Sequence, residues 1–482
     1  MRLSTMYRFR SNTCLGLLGI VLTIASCKVP ALVQVNENKT VPGSFVNSQD
    51  TTNIVAIKWS SFFTDKNLVN LIDTALKNNQ EMMITLQEIE IARNEARFRQ
   101  GPLLPTVGAK VGAGIEKVGR YTSQGAGDAS TEIEEGKEMP DPLPDFTAAV
   151  YANWEVDIWK KLHNAKKAAV ARYLSSVEGR NFVITNLIAE VANSYYELLA
   201  LDNQLAIVRQ NIDLQKNALE IVKVQKEATR VTELPVQKFQ AEVLKSQSME
   251  FDILQKIKET ENRINFLLGR YPQEIPRDKG NFLALVPQTV KEGIPAQLLA
   301  NRPDVKQAEL DLAAAKLDVK VARAEFYPSL GITAALGLQA FKPSYLTKIP
   351  ESMLYSLAGD LAGPLVNRNA IKAEFYSANA RQLQALYNYQ RTILNAYMEV
   401  STQLSNISNL EKSYDLKSKS VDALNRSISI SNDLFASARA DYLEVLMTQR
   451  DALESKLELI ETKRDQLNAV VNIYRNLGGG WK

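Results

Sequence analysis

The stretch RPDVKQAELDLAAAKLDVKVARAEFYPSLGITAALGLQ, residues 302–339, decides how the rest of the chain is read, because its hydrophobic period changes midway. Val305, Ala308, Leu312, Ala315, Val319 and Ala322 recur at steps of three and four, the spacing of one helix face. Tyr327-Pro328 ends that pattern, since proline lacks the N–H a helical ladder needs and biases the residue before it toward extended geometry. Beyond it Leu330, Ile332, Ala334, Leu336 and Leu338 alternate with Gly331, Thr333, Ala335, Gly337 and Gln339, which predicts a strand with one apolar face. The same change occurs earlier. A helical run through Ile91, Ala92 and Ala96 reaches Leu104-Pro105, after which Val107, Ala109, Val111, Ala113 and Ile115 alternate with Gly108, Lys110, Gly112, Gly114 and Glu116. The chain therefore reads as a duplicated unit.

At the N-terminus, Arg2, Arg8 and Arg10 without an acid precede an apolar run from Leu15 to Ala25, and Ile24-Ala25-Ser26-Cys27 follows. This is the layout of an export signal over residues 1–26. Its last four residues resemble a bacterial lipobox, which implies that Cys27 becomes the lipidated mature N-terminus. The run is shorter than the ~20 residues of a spanning helix. Cys14 leaves with the signal, so no cysteine pair remains for a disulfide or a thiolate metal site. Three of the 57 basic residues and none of the 54 acidic ones lie in the signal, so the mature chain carries 54 of each and does not have the basic surface of a nucleic-acid binder. No later apolar run is long enough for a spanning helix; if this chain crosses a bilayer, it does so with strands.

Residues 27–58 lack a sustained period and read as an extended tether. The first repeat, 59–270, opens with a helix that Asp65 is placed to cap. Strands are expected at about 106–118 and 146–158, separated by a solvated loop over 119–144. Both exceed the 9 to 11 residues, roughly, that a tilted strand needs to cross a bilayer. From about 165 the chain runs without proline to Glu227, with Leu187, Val191, Ser194, Leu198, Leu201, Leu205, Val208, Ile212, Gln215, Leu219 and Val222 in a heptad seam. Residues 229–235 break it and a helix returns to about 268, completing a helical hairpin over about 165–268. A connector follows at 271–300. The second repeat, 301–477, has a helix, strands at about 329–341 and 354–366, and a hairpin at about 371–476, with a tail at 478–482. Its seam is Val400, Leu404, Ile407, Leu410, Tyr414, Val421, Leu424, Ile428 and Phe435. The two hairpin turns align, with Arg230, Leu234 and Val236 opposite Arg439, Leu443 and Val445.

Several motifs now fall into one order: residues 298–305 (LLANRPDV) with Ala308-Glu309, residues 322–330 (ARAEFYPSL), residues 154–159 (WEVDIW), Gly363-Pro364-Leu365, and the terminal residues 474–481 (YRNLGGGW). In these the chain resembles the TolC-type outer-membrane factors, in particular the lipoprotein branch serving resistance-nodulation-division efflux pumps, over nearly the whole mature sequence. The resemblance implies a mainly helical fold with a β-barrel portion. In it a homotrimer builds a twelve-strand membrane barrel, four strands per chain, and a periplasmic α-helical tube. It implies a passive exit duct working with a periplasmic adaptor (membrane fusion) protein and an inner-membrane pump. Two joins depart from the family pattern. Ile158-Trp159-Lys160-Lys161 stands where an aromatic-glycine pair is usual, and Asn367-Arg368-Asn369-Ala370 replaces a glycine-rich turn.

On this reading Val111, Ala113, Val150, Trp154, Ile332 and Leu336 face lipid. The periplasmic entrance is expected to be closed by Arg439, Asp441 and Glu444 of one turn with Arg230, Thr232 and Glu233 of the other. The resemblance places entrance-narrowing acids near Asp441 and Glu444. Exposed ion pairs contribute only ~0 to 1 kcal/mol each, which suits a gate that must open. The inventory for catalysis is poor. His163, the only histidine, has no carboxylate or thiolate partner in view and reads as structural. Gly478-Gly479-Gly480 is followed directly by Trp481, with no lysine in the position a phosphate loop needs and no helix, and reads as a chain-end cap. No catalytic residue, metal site or cofactor is expected. The alternative function is a lipid-anchored periplasmic coiled-coil scaffold or adaptor, which heat-modifiable gel migration separates from a barrel.

Overall fold

The computed structural model describes residues 30–32, 37, 39–45, 55, 57–280, 282–287, 291, 293–364, 368–437 and 439–481. Cys27 and the signal lie outside the described residues. The elements in order are α1 (Lys66–Asn78), α2 (Gln80–Phe98), β1 (Thr106–Glu116), α3 (Ser123–Asp128), β2 (Glu132–Glu134), β3 (Lys137–Glu138), β4 (Leu143–Val156), α4 (Lys161–Glu227) and α5 (Glu233–Leu267). There follow α6 (Ala296–Asn301), α7 (Pro303–Ala324), β5 (Ser329–Ala340), β6 (Met353–Ala362), α8 (Asn369–Ala436) and α9 (Tyr442–Asn476). The fold is mainly helical with one four-stranded sheet. Among the described residues the chain divides into two compact units, one built on 91–173 and 311–386, the other on 57–90, 174–310 and 387–481.

The first unit is built on an antiparallel sheet of order β1-β4-β5-β6. In the same unit Val319, Ala322, Phe326, Phe375 and Ala378 form a small core, with the Phe326 and Phe375 rings edge to face at 5.9 Å. The fourth strand lies at 353–362, not 354–366. Gly363-Pro364 ends it, because Pro364 cannot donate to a ladder, and residues 365–366 lie outside the described residues. The other strands also shift. β1 and β5 stop at Glu116 and Ala340, where the pairing with Leu143 and Phe146 runs out. β4 starts three residues before 146 and stops at Val156, since the Ile158 N–H turns back to the Val156 carbonyl at 2.8 Å. The loop over 119–144 is not structureless, holding α3 and the β2–β3 pair.

The second unit is a helical bundle. Asp65 caps α1, accepting from the Asn67 and Leu68 N–H groups at 2.7 and 3.5 Å. The single opening helix expected from the period is split at Asn79. Its buried amide accepts from Met82 N–H at 3.1 Å and donates to the Leu267 carbonyl at 2.9 Å, so it starts α2 and caps the end of α5. All eleven residues of the α4 seam are buried. Pro235, expected to end the turn, lies instead in the first turn of α5, where its missing N–H has no helical partner to lose.

Candidate functional site

The sheet register sorts side chains by chemistry. Val111 lies opposite Ala148, Ala113 opposite Phe146, Val150 opposite both Ala109 and Leu336, and Trp154 opposite Ile332. Side chains paired across a ladder share a face, so Val111, Ala113, Val150, Trp154, Ile332 and Leu336 are on one side. Met353, Tyr355, Leu357 and Leu361 of β6 join them through Leu338, Leu336, Ala334 and Leu330. No charged residue falls on this face, and much of it is bare: Val111 is 87% exposed, Tyr355 80% and Leu357 79%. The opposite face carries Lys110, Glu116, Asp145, Asn153, Glu155, Thr333, Gln339, Ser356 and Asp360. Glycine has a specific use on this polar face. A Cβ on Gly108 would lie 2.5 Å from the Tyr151 ring that covers it from the next strand. β1 and β6 are each paired on one side only.

At the exit from β4, Asp157 corrects the reading of His163. The Asp157 carboxylate accepts from the Leu162 and His163 backbone N–H groups at 3.0 and 2.8 Å and meets His163 Nδ1 at 2.6 Å. It is a carboxylate partner six residues upstream, brought close by the turn, and it satisfies first-turn donors of α4. Burial raises the cost of the Asp157 charge, yet the His163 and Leu162 bonds hold its carboxyl below the usual carboxylate range. This cap is why α4 begins at Lys161 and not near 165. Between them Lys160 has φ 59°, the left-handed conformation glycine adopts most readily, and Trp159 stacks on Tyr327 at 4.6 Å while donating to the Pro328 carbonyl at 2.8 Å. The departure from an aromatic-glycine pair thus keeps the aromatic and puts a lysine in the glycine conformation.

The hairpin turns are brought together by an apolar cluster. Val222, Val236 and Phe239 pack with Leu446, and Val231, Phe435 and Tyr442 close over them. The six gate candidates, Arg230, Thr232, Glu233, Arg439, Asp441 and Glu444, are all exposed. Within the single chain the contacts described for them are local to each turn. Glu233 pairs with Lys226 across its own turn and accepts from the Gln237 amide at 2.7 Å, and these two contacts hold its carboxyl below the usual range. Asp441 is the N-cap of α9, accepting from Tyr442 N–H at 2.6 Å, whereas Thr232 at the matching place makes no side-chain cap. Arg439 N–H closes the turn onto the Leu434 carbonyl at 2.8 Å. Lys226 was missed because it precedes the break in helical period. Leu234 and Leu443, 56% and 44% exposed at aligned positions, were legible in the alignment of the turns but carried no charge to draw notice.

The sequence model for the family described as "Outer membrane efflux protein" matches residues 71–270 and 294–479. The chain belongs to the outer membrane efflux protein family. It is 29% identical over 426 residues to the pyoverdine export outer membrane protein OpmQ of Pseudomonas aeruginosa, covering 88% of each chain. It is 26% identical over 458 residues to the probable outer membrane lipoprotein SilC of Salmonella typhimurium, covering 94% of this chain and 93% of that one. Its fold superposes with TM-score 0.83 on a crystal structure of a membrane protein from Pseudomonas aeruginosa, at 23% identity over 94% of this chain and 100% of that one. The chain is an efflux channel of the outer membrane, and its sequence motifs divide accordingly between scaffold and surface.

The longest motifs of this efflux channel are scaffold. Arg302 is buried and grips Asp304 through two bonds of 3.0 and 2.7 Å, Glu399 at 2.8 Å and the Asn476 carbonyl at 2.9 Å. Gly478, at φ 93°, passes so close to Asn301 that a Cβ would lie 2.6 Å from its carbonyl oxygen, and Trp481 donates to that carbonyl and to Gly478's own. The glycine run is a chain-end clamp.

Proposed function

We propose that three copies of the chain close their sheets edge to edge, β6 of one against β1 of the next, into a twelve-strand barrel in the outer membrane. The observation that carries this is the charge-free, exposed sheet face bounded by two unpaired edges. An apolar face of that extent is unstable in water, and in lipid an open edge leaves backbone groups without partners, so closure by further copies satisfies both. The helices form a periplasmic tube. The assembly is the passive exit duct of a tripartite pump, receiving substrates from an inner-membrane resistance-nodulation-division transporter through a periplasmic adaptor. The chain is a conduit, not an enzyme. Pyoverdine is the cargo in OpmQ's name; in a passive duct the choice of substrate rests with the pump. Cys27 is the lipidated N-terminus, a reading supported by the lipobox and by SilC's description as a lipoprotein. The two hairpin turns form the periplasmic gate.

The test places Arg at Val150. Near the bilayer midplane this costs ~2 to 4 kcal/mol, so Val150→Arg is expected to lose the heat-modifiable gel form of the parent, while Thr147→Arg on the polar face keeps it. Insertion of Val150→Arg like the parent would reverse the sheet orientation, and a parent without a heat-modifiable form would favour the scaffold reading.

A further inference from the structure

The α4 seam contains one amide, Gln215, which is 3% exposed and whose Oε1 has no hydrogen-bond partner among the described residues. A buried carbonyl oxygen left unmet is unfavourable, and a heptad seam is otherwise built from side chains that carry no such group. The polar pair one turn away is satisfied, since Asn211 donates its amide to Ser246 Oγ at 3.4 Å. Gln215 borders a cavity of about 400 Å³ inside the helical unit, lined from α4, α5 and α9. Glu454, Glu458 and Glu461 of α9 recur there at steps of four and three, so they share a face along ~10 Å of helix, and Glu242 of α5 joins them. Met249, Leu453 and Leu457 supply the apolar part of the wall. Lys245 and Arg450 line it too, so four acids meet two bases. Arg450 lies 3.7 Å from Asp451, its neighbour in sequence, and among the described residues neither base pairs with a lining acid. Glu458 is held by Lys417 at 3.1 Å and Glu461 accepts from the Gln204 amide at 3.3 Å; Glu242 and Glu454 have no ion-pair partner among the described residues.

We propose that this cavity binds an aliphatic diamine or triamine, with one ammonium donating to the Gln215 carbonyl oxygen and another meeting Glu242 or Glu454. Three features select that class. An ammonium has donors only, which suits an unmet acceptor beside an excess of carboxylate. The acids of α9 are spread over two helical turns, so one compact ion cannot meet them together, and the described His, Cys, Asp and Glu side chains form no group able to hold a metal ion. An apolar wall between charged groups matches a methylene chain, which covers apolar surface with its carbons while its charged ends stay on polar atoms. The volume lies in the range of small-molecule sites, roughly 300 to 1,000 Å³. The site belongs to the helical unit alone and stands apart from the barrel reading.

The experiment titrates the purified full chain in detergent with putrescine, spermidine or the monoamine butylamine and follows binding by calorimetry. The parent is expected to bind both polyamines, each at least about tenfold more tightly than butylamine. Gln215→Met keeps the length of the side chain and removes the acceptor; it should weaken putrescine about tenfold, while helical circular dichroism shows a thermal midpoint unchanged or raised. Glu242→Gln/Glu454→Gln should weaken putrescine about fivefold, and Glu411→Gln/Asp422→Asn, which removes the same charge from the exposed surface of α8, should not. Equal losses in the two double variants mean that net charge alone is sensed and overturn the site. Putrescine bound no more tightly than butylamine overturns it as well, and so does a folded Gln215→Met that binds like the parent. A parent that binds no amine removes the site and leaves the channel reading as it is.

Discussion

The seams of the two long helices share a heptad period and differ in what covers them. In α4 every seam residue from Leu187 to Val222 is buried within the single chain. In α8 only Val400 and Val421 are; Leu404, Ile407, Leu410, Tyr414, Leu424, Ile428 and Phe435 stay half-exposed, and Leu416 and Ile430 lie bare at 66% and 58%. Part of the reason is visible at the tips, where α5 lays Val236, Phe239 and Val243 against Leu219 and Val222, giving the first seam a partner inside its own hairpin. A period fixes which face of a helix is apolar and is silent on which surface covers it. The duplicated half with the less complete cover is the one whose partner, on the trimer reading, belongs to another copy.

The largest effect should come from the ionic supports of the two halves. The first is held by Arg277 of the connector, whose side chain is buried with both acids it holds, bonding Asp202 at 2.5 and 3.1 Å and Glu261 at 2.8 Å. Arg277→Ala strands two buried carboxylates and should cost ~3 to 5 kcal/mol, read as a drop in the thermal midpoint by helical circular dichroism. Arg302 in the second half has one half-exposed partner, Glu399 at 46%, so Arg302→Ala should cost less because water can reach that charge. Equal losses would mean that exposure does not separate the two networks.

Truncation of the seams comes next. Leu198 is fully buried, and Leu198→Ala should cost ~2 to 5 kcal/mol at any protein concentration. Leu404→Ala should cost less in the separate chain and instead raise the dissociated fraction on dilution, measured by native mass spectrometry. A dilution-independent Leu404→Ala would show that its seam is not completed by another copy.

A smaller and opposite effect is expected at the first tip, where Thr229 holds φ 54°. A β-branched residue in the left-handed region is strained, so Thr229→Gly should stabilise by ~1 kcal/mol and raise the thermal midpoint. No rise would mean that the turn relaxes around threonine. Such a site was not legible in sequence. The change of period at Tyr327-Pro328, the α4 seam and the apolar sheet face were, because alternation and heptad spacing are local and survive in any packing. What escaped depends on contacts far apart in sequence or on turn geometry: Asn79 splitting the first helix through a bond to Leu267, Asp157 reaching His163 over a turn, Lys160 and Thr229 in glycine conformations. The candidate site was legible to the level of the turn, while the partners of its charges were not.

The smallest energies decide the gate, and here the two tips separate charge from capping. Thr232 contributes no cap to α5, but Asp441 caps α9, so Asp441→Ala would remove a charge and an N-cap together and its effect could not be assigned. Asp441→Asn keeps an oxygen that can accept the Tyr442 N–H and removes only the charge. An exposed ionic contact contributes ~0 to 1 kcal/mol, so if Asp441 or Arg439 holds the turns together, its loss shifts the closed-to-open balance by up to about fivefold. Asp441→Asn and Arg439→Ala should each raise the conductance of the purified channel in a planar bilayer with the thermal midpoint unchanged. Asp441→Ala should raise conductance and lower stability by ~1 kcal/mol through the lost cap. At the other tip, Glu233→Gln breaks the charge pairing with Lys226 inside one turn, and a conductance change there would show that the first turn gates as well as the second. Unchanged conductance and unchanged cation preference in Asp441→Asn, Arg439→Ala and Glu444→Gln would remove the gate from the second turn. The channel would stand, and closure would then rest on the exposed Leu234 and Leu443, whose replacement by serine is the next variant to measure.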